Sequence, residues 1–89
     1  MYSRTVTIIN PTGLHARPAS EFVKTAGQFA CDIKLKKAGD ENLINAKSIV
    51  FLLSMGLHKG TEIEIIADGN DEKEAVDTLL SLIESGFGE

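Results

Sequence analysis

Gly13-Leu14-His15-Ala16-Arg17-Pro18 sets a turn residue, a histidine, a small residue, an arginine and a proline directly before a run with helical spacing. Ala19, Phe22, Val23 and Ala26 recur at i, i+3, i+4 and i+7, which is one apolar face of a helix. His15 therefore stands at or just before a helix N-terminus, with Arg17 in the first turn. Pro18 is tolerated there because its missing N–H is one that the helix leaves unpaired anyway. The residue ahead of a proline is biased away from helical angles, so the first helical residue lies anywhere from Ala16 to Pro18.

The chemistry of that arrangement points to phosphate. A helix N-terminus presents unpaired N–H groups and the positive end of a dipole. An arginine adds a fork of donors matched to phosphate oxygens. A histidine, with an unperturbed pKa of about 6.5, is mostly neutral near pH 7 and can act as a nucleophile. An isolated histidine before a helix is more often a cap or a solvated surface residue. Here the nucleophile, the anion site and the charge clamp fall within three residues, which suits a histidine that becomes phosphorylated.

With 89 residues, 43% of them apolar and 25% charged, the chain reads as one soluble globular domain. Its apolar runs are too short for a membrane span, and Met1-Tyr2-Ser3-Arg4-Thr5 leads into a strand pattern without a signal-peptide core. A lone Cys31 cannot form an internal disulfide, which fits a small buried hydrophobe in a cytoplasmic protein. The net charge of −4 argues against nucleic acid. Its distribution is more informative. Residues 1–60 hold eight basic against four acidic residues, whereas 61–89 hold one against nine. The half bearing His15 is the basic half, suited to an acidic or phosphorylated partner.

Along the chain, Arg4–Ile9 alternates as a first strand with Val6 and Ile8 inward. Asn10-Pro11-Thr12-Gly13 is a turn cluster, and the first helix stops at Gly27. Cys31–Lys36 alternates with Cys31, Ile33 and Leu35 inward, followed by a connection at Ala38–Glu41 and a short return strand, Asn42–Ala46. Ser48 caps the segment Ile49–Met55, which is apolar nearly all round. With Phe51, Leu52 and Met55 directed inward, Ile49, Val50 and Leu53 are left near the surface as a docking patch. Thr61–Ala67 is the last strand, with Ile63 and Ile65 inward. Asn70 is the expected N-cap of a final helix with Val76, Leu79, Leu80 and Ile83 on its apolar face. Gly86 ends that helix, and Phe87-Gly88-Glu89 is expected to fray. The order β-α-β-β-α-β-α makes an α+β two-layer sandwich.

Asn10-Pro11-Thr12-Gly13-Leu14-His15-Ala16-Arg17-Pro18-Ala19-Ser20 closely resembles the active-site signature of the HPr family, the histidine-containing phosphocarriers of the bacterial sugar phosphotransferase system. The resemblance implies an open-faced β-sandwich, with four antiparallel strands in the order 1-4-2-3 covered on one face by three helices. Residues 1–89 would be a single HPr-like domain. It also implies that His15 takes a phosphoryl group, on Nδ1, from phosphorylated enzyme I and delivers it to the IIA unit of a sugar permease. Arg17, the N–H groups of Ala16 and Arg17, and Pro18 would form the phosphate site. Lys24 would join Ile49, Val50 and Leu53 in meeting partners. Such a protein is a carrier with no cofactor or metal of its own, and nothing in the sequence calls for more than a monomer.

Asn45-Ala46-Lys47-Ser48-Ile49 resembles the family's second signature, a serine phosphorylated by a dedicated kinase. A phosphoserine at an N-cap keeps the favourable end of the dipole and adds a charge of about −1.5 to −2. The alternative for Ser48 is a plain cap worth about 1 kcal/mol. A purely regulatory relative acting through phospho-Ser48 on a catabolite-control transcription regulator is the second functional reading, and the presence of His15 weighs against it. His58 is expected to be an ordinary solvated loop residue, remote from His15. Two such histidines and one cysteine make no zinc cluster, and the P-loop spacing is absent. Ser20 belongs to a helix surface, and Thr12 is a candidate hydrogen-bond donor near the phosphoryl group.

Overall fold

Apolar and polar residues alternate in three stretches, and each is a full strand in the computed structural model, which describes residues 1–89. These are β1 (Tyr2–Thr7), β2 (Asp32–Lys37) and β4 (Glu62–Asp68), with a two-residue β3 (Ile44–Asn45) between the latter two. All pairings are antiparallel and the order is β1-β4-β2-β3. Central β4 sets the register. Ile63 faces Val6 on one side, while Ile65 and Ala67 face Leu35 and Ile33 on the other. These side chains share one face and are buried.

Three helices cover that face: α1 (Ala16–Ala26), α2 (Ile49–Ser54) and α3 (Glu72–Glu84). Phe22, Ala19 and Ala26 from α1, Leu52 from α2, and Val76, Leu79 and Ile83 from α3 complete one core of 20 buried residues. Each large side chain buried there contributes about 1.5–3 kcal/mol of transfer free energy, so the alternation of the strands decides which face is covered. The opposite face carries Lys34, Lys36 and Glu64 and has no helix over it, with Lys36 and Glu64 paired at 3.6 Å. This is the open-faced α+β sandwich. No helix is long and apolar enough to cross a membrane.

The structure departs from the sequence-based expectations at four places outside the site. The first strand runs Tyr2–Thr7 instead of Arg4–Ile9, since its ladder with β4 ends at Thr7 opposite Glu62. The return strand contracts from Asn42–Ala46 to Ile44–Asn45, because Asp40 closes a turn by accepting the N–H of Asn42 at 3.1 Å. Asn70 does not cap α3. Asp71 holds the N-cap position without bonding to its own helix, and its carboxylate accepts the N–H groups of Ala30 at 2.9 Å and Cys31 at 3.0 Å. Those bonds, Ala30's first, hold the Asp71 carboxyl below its ordinary value. Burial, aided by Asp71, pushes the Cys31 thiol up to about 11. Finally, the tail is ordered: Gly86–Gly88 forms a 3-10 turn and Phe87 is buried in the core.

Candidate functional site

The loop before α1 is shaped by buried groups on both of its ends. Asn10 is nearly fully buried, and its Nδ2 donates to the Gly13 carbonyl at 2.8 Å. Gly13 adopts φ +66°, the left-handed region in which glycine carries no penalty. The N–H of Leu14 then donates to the Leu57 carbonyl at 2.9 Å, and both leucines are fully buried. With Leu14 anchored, the next residue emerges at the surface.

That residue is His15. It occupies the N-cap position of α1 with extended angles (φ −129°, ψ 163°), and its side chain makes no capping bond. The ring is half-buried and is not consumed by the helix. Ala16 follows at φ +51°, a left-handed conformation that costs a residue with a Cβ roughly 1–2 kcal/mol. Regular helical angles thus begin after Ala16, within the expected window. The N–H groups of Ala16 and Arg17 have no acceptor in the protein, and the first helical bond, from Ala19 to His15, is long at 3.5 Å. Pro18 is buried and, lacking an N–H, has no donor for an anion. Its contribution is to set the first turn.

Arg17 stands beside these free amides, but its fork is already in use. Nη1 pairs with Glu21 one turn along α1, and Nη2 donates to the Phe87 carbonyl at 3.0 Å. The tail expected to fray is therefore one wall of the site. Its last residue, Glu89, takes Thr12 and Asn10 as well. The Thr12 hydroxyl lies 2.9 Å from both carboxylate oxygens, and Asn10 Nδ2 donates to one of them at 3.0 Å. These two contacts, Asn10's first, hold the Glu89 carboxyl below its ordinary value. Asn10 and Glu89 were not legible as site residues. Asn10 looks like any turn asparagine, and Glu89 lies far from it along the chain.

α2 lies beside α1. Phe51, expected inward, is 56% exposed, and only Leu52 of this helix is fully buried, with Met55 half-buried. A helix of six residues laid on a sheet turns only one narrow stripe downward, and Leu52 occupies it. Phe51 thus joins Ile49, Val50 and Leu53 in one exposed apolar patch. Lys24 is exposed in the last turn of α1. Ser48 caps α2, accepting the N–H of Phe51 at 3.4 Å. Lys47 beside it donates to the Phe29 carbonyl at 2.7 Å. His58 is exposed as expected but is not remote: its ring centroid lies 5.6 Å from that of His15.

Comparison with known proteins places this geometry among relatives. Residues 2–85 match the family model described as PTS HPr component phosphorylation site. Phosphocarrier protein HPr of Haemophilus influenzae is 45% identical over 83 residues, covering 93% of this chain and 95% of that one. HPr-like protein Crh of Bacillus subtilis is 42% identical over 84 residues, covering 94% and 96%. The crystal structure of HPr-C-His from Thermoanaerobacter tengcongensis superposes with a TM-score of 0.95 at 47% identity, covering 100% of this chain and 98% of that one.

Proposed function

Because the chain belongs to the PTS HPr family of phosphocarrier proteins, we propose that His15 is the residue that carries the phosphoryl group. It accepts that group from phosphorylated enzyme I and passes it to the IIA unit of a sugar permease in the cytoplasm. The observation that carries this reading is the accessible, uncapped imidazole of His15 next to two N–H groups with no acceptor.

Transfer is positioning and charge neutralisation more than covalent chemistry. A ring nitrogen of His15, Nδ1 by family resemblance, uses its lone pair to attack phosphorus in line with the donor's N–P bond. A new N–P bond forms as the old one breaks, and the departing imidazole keeps the electron pair. The N–H groups of Ala16 and Arg17 receive the phosphoryl oxygens at the positive end of α1. Arg17 reaches the same oxygens by exchanging Glu21 and the Phe87 carbonyl for them. An exposed ion pair of this kind is worth only about 0–1 kcal/mol, so a phosphoryl group competes with it readily. Weak holding suits a carrier, since a tightly bound group could not be passed on.

Ile49, Val50, Phe51 and Leu53 supply the apolar contact that orients a partner, with Lys24 at its edge. Phosphorylation of Ser48 by a serine kinase would place charge beside this patch without removing the cap. Likeness to the catabolite repression protein Crh of Bacillus subtilis supports a second reading, in which this chain acts through phospho-Ser48 on a transcription regulator. His15 weighs against that role standing alone.

Incubation with phosphoenolpyruvate and enzyme I tests the carrier reading. The expected result is one acid-labile phosphate on the wild-type protein and none on the His15→Ala variant. Absence of label from the wild type overturns it.

A further inference from the structure

The backbone sets His58 next to His15. The N–H of Leu14 is bonded to the carbonyl of Leu57. Gly13 lies so close to the same peptide that a Cβ there would stand 2.3 Å from the Leu57 oxygen and 3.0 Å from the His58 Cα. Two loops joined in this way, each with a fully buried leucine next to its histidine, place the two residues side by side, and the ring centroids lie 5.6 Å apart at a 38° inclination. Arg17 is engaged by Glu21 and Phe87, whereas no carboxylate is paired with either imidazole.

We propose that His58 is a second ligand of the phosphoryl group on His15, donating a ring N–H to one of its oxygens alongside the amides of Ala16 and Arg17. This rests on the reading of His15 as the phosphoryl acceptor. Imidazole suits the place because its charge can follow the state of its neighbour. A phosphoryl group brings a charge of about −1.5 to −2 into the gap, and the nearby anion then favours the imidazolium of His58. Among charged and titratable groups, His15 faces His58 across the two loops, and Lys59 follows it on its own loop. The Glu89 carboxylate is occupied by Asn10 and Thr12.

The test uses phosphoramidate, which transfers its phosphoryl group to imidazole nitrogen with release of ammonia and needs no enzyme I. The ring resonances of His58 are titrated by NMR in the unloaded and the His15-phosphorylated protein. The phosphorus resonance is titrated in the wild type and in His58→Gln and His58→Lys. On loading, the His58 midpoint is expected to rise by about one pH unit, a tenfold gain in proton affinity. By reciprocity the phosphoryl midpoint moves up in His58→Gln and returns towards the wild-type value in His58→Lys, which restores a cation. An unchanged His58 midpoint on loading overturns the proposal, and this reading needs no variant to fold. Superimposed phosphorus titrations in wild type and His58→Gln overturn it as well. A protein that phosphoramidate labels on His15 but phosphorylated enzyme I does not would defeat the carrier reading, while the His58 comparison still decides this one.

Discussion

The hydroxyl of Thr12 lies 2.9 Å from both carboxylate oxygens of Glu89, joining the loop before α1 to the tail beyond α3. Asn10 reaches the same carboxylate, and Phe87 two residues earlier accepts from Arg17. The tail is thereby a structural part of the surface around His15, and the state of one carboxylate controls how firmly it sits.

Replacing Glu89 by Gln should loosen this tail. The expected outcome is faster amide exchange at 87–89 with the sheet amides unaffected. The pH dependence follows from the lowered carboxyl value. A group whose folded value is depressed contributes fully above its unfolded value and loses that contribution as pH falls through the folded one. The tail should therefore hold at neutral pH and release only below the ordinary carboxylate value of 4.5. A carboxyl titration of Glu89 by NMR with its midpoint at or above 4.5 would contradict this.

Adjacent residues of α2 should behave oppositely. Leu52→Ala empties a fully buried position and is expected to cost about 2–4 kcal/mol in chemical denaturation. Phe51→Ala alters an exposed side chain and should change stability by less than about 0.5 kcal/mol. If Phe51 meets partners, the second variant should raise the KM of enzyme I for this protein while leaving the denaturation curve in place.

Ser48→Ala removes a cap whose bond to Phe51 is long, 3.4 Å. The loss is expected at the low end of the range for caps, about 0.5 kcal/mol. Ser48→Asp keeps an acceptor at the same helix end and should melt with the wild type. Its slower phosphorylation by enzyme I would report charge placed beside the apolar patch, so equal rates would remove the regulatory role from this site.

Gly13→Ala is expected to be the most damaging small substitution near His15. The position needs φ +66°, and a Cβ would stand 2.3 Å from the Leu57 carbonyl oxygen, which is backbone and cannot swing aside. We expect a loss of about 2–4 kcal/mol in thermal or chemical unfolding, together with slower phosphoryl uptake as His15 and His58 part. A Gly13→Ala protein as stable as the wild type would mean that the two loops are not locked.

Local patterns carried much of this molecule. Alternation of Val6, Ile8, Ile33, Leu35, Ile63 and Ile65 marked the buried face of the strands, because a period of two admits only one assignment of sides. The spacing of Ala19, Phe22 and Ala26 marked the buried stripe of α1, and the turn chemistry ahead of it put His15 at or just before the helix N-terminus, where it is the N-cap residue. α2 was the weak point. A run apolar on every side has no periodic face to read, so Phe51 was expected inward together with Leu52 and Met55, although only Leu52 is fully buried.

The residues themselves thus determined the elements, the core and the histidine at a helix start, since each follows from interactions within a few positions of the chain. Only the tertiary structure decided what surrounds that histidine. Asp71 serves the start of β2 instead of its own helix, Phe87 and Glu89 return to meet Arg17, Asn10 and Thr12, and His58 arrives beside His15. Those contacts join segments distant in sequence, and no local propensity encodes which distant partner a side chain will find once the sheet and helices have closed.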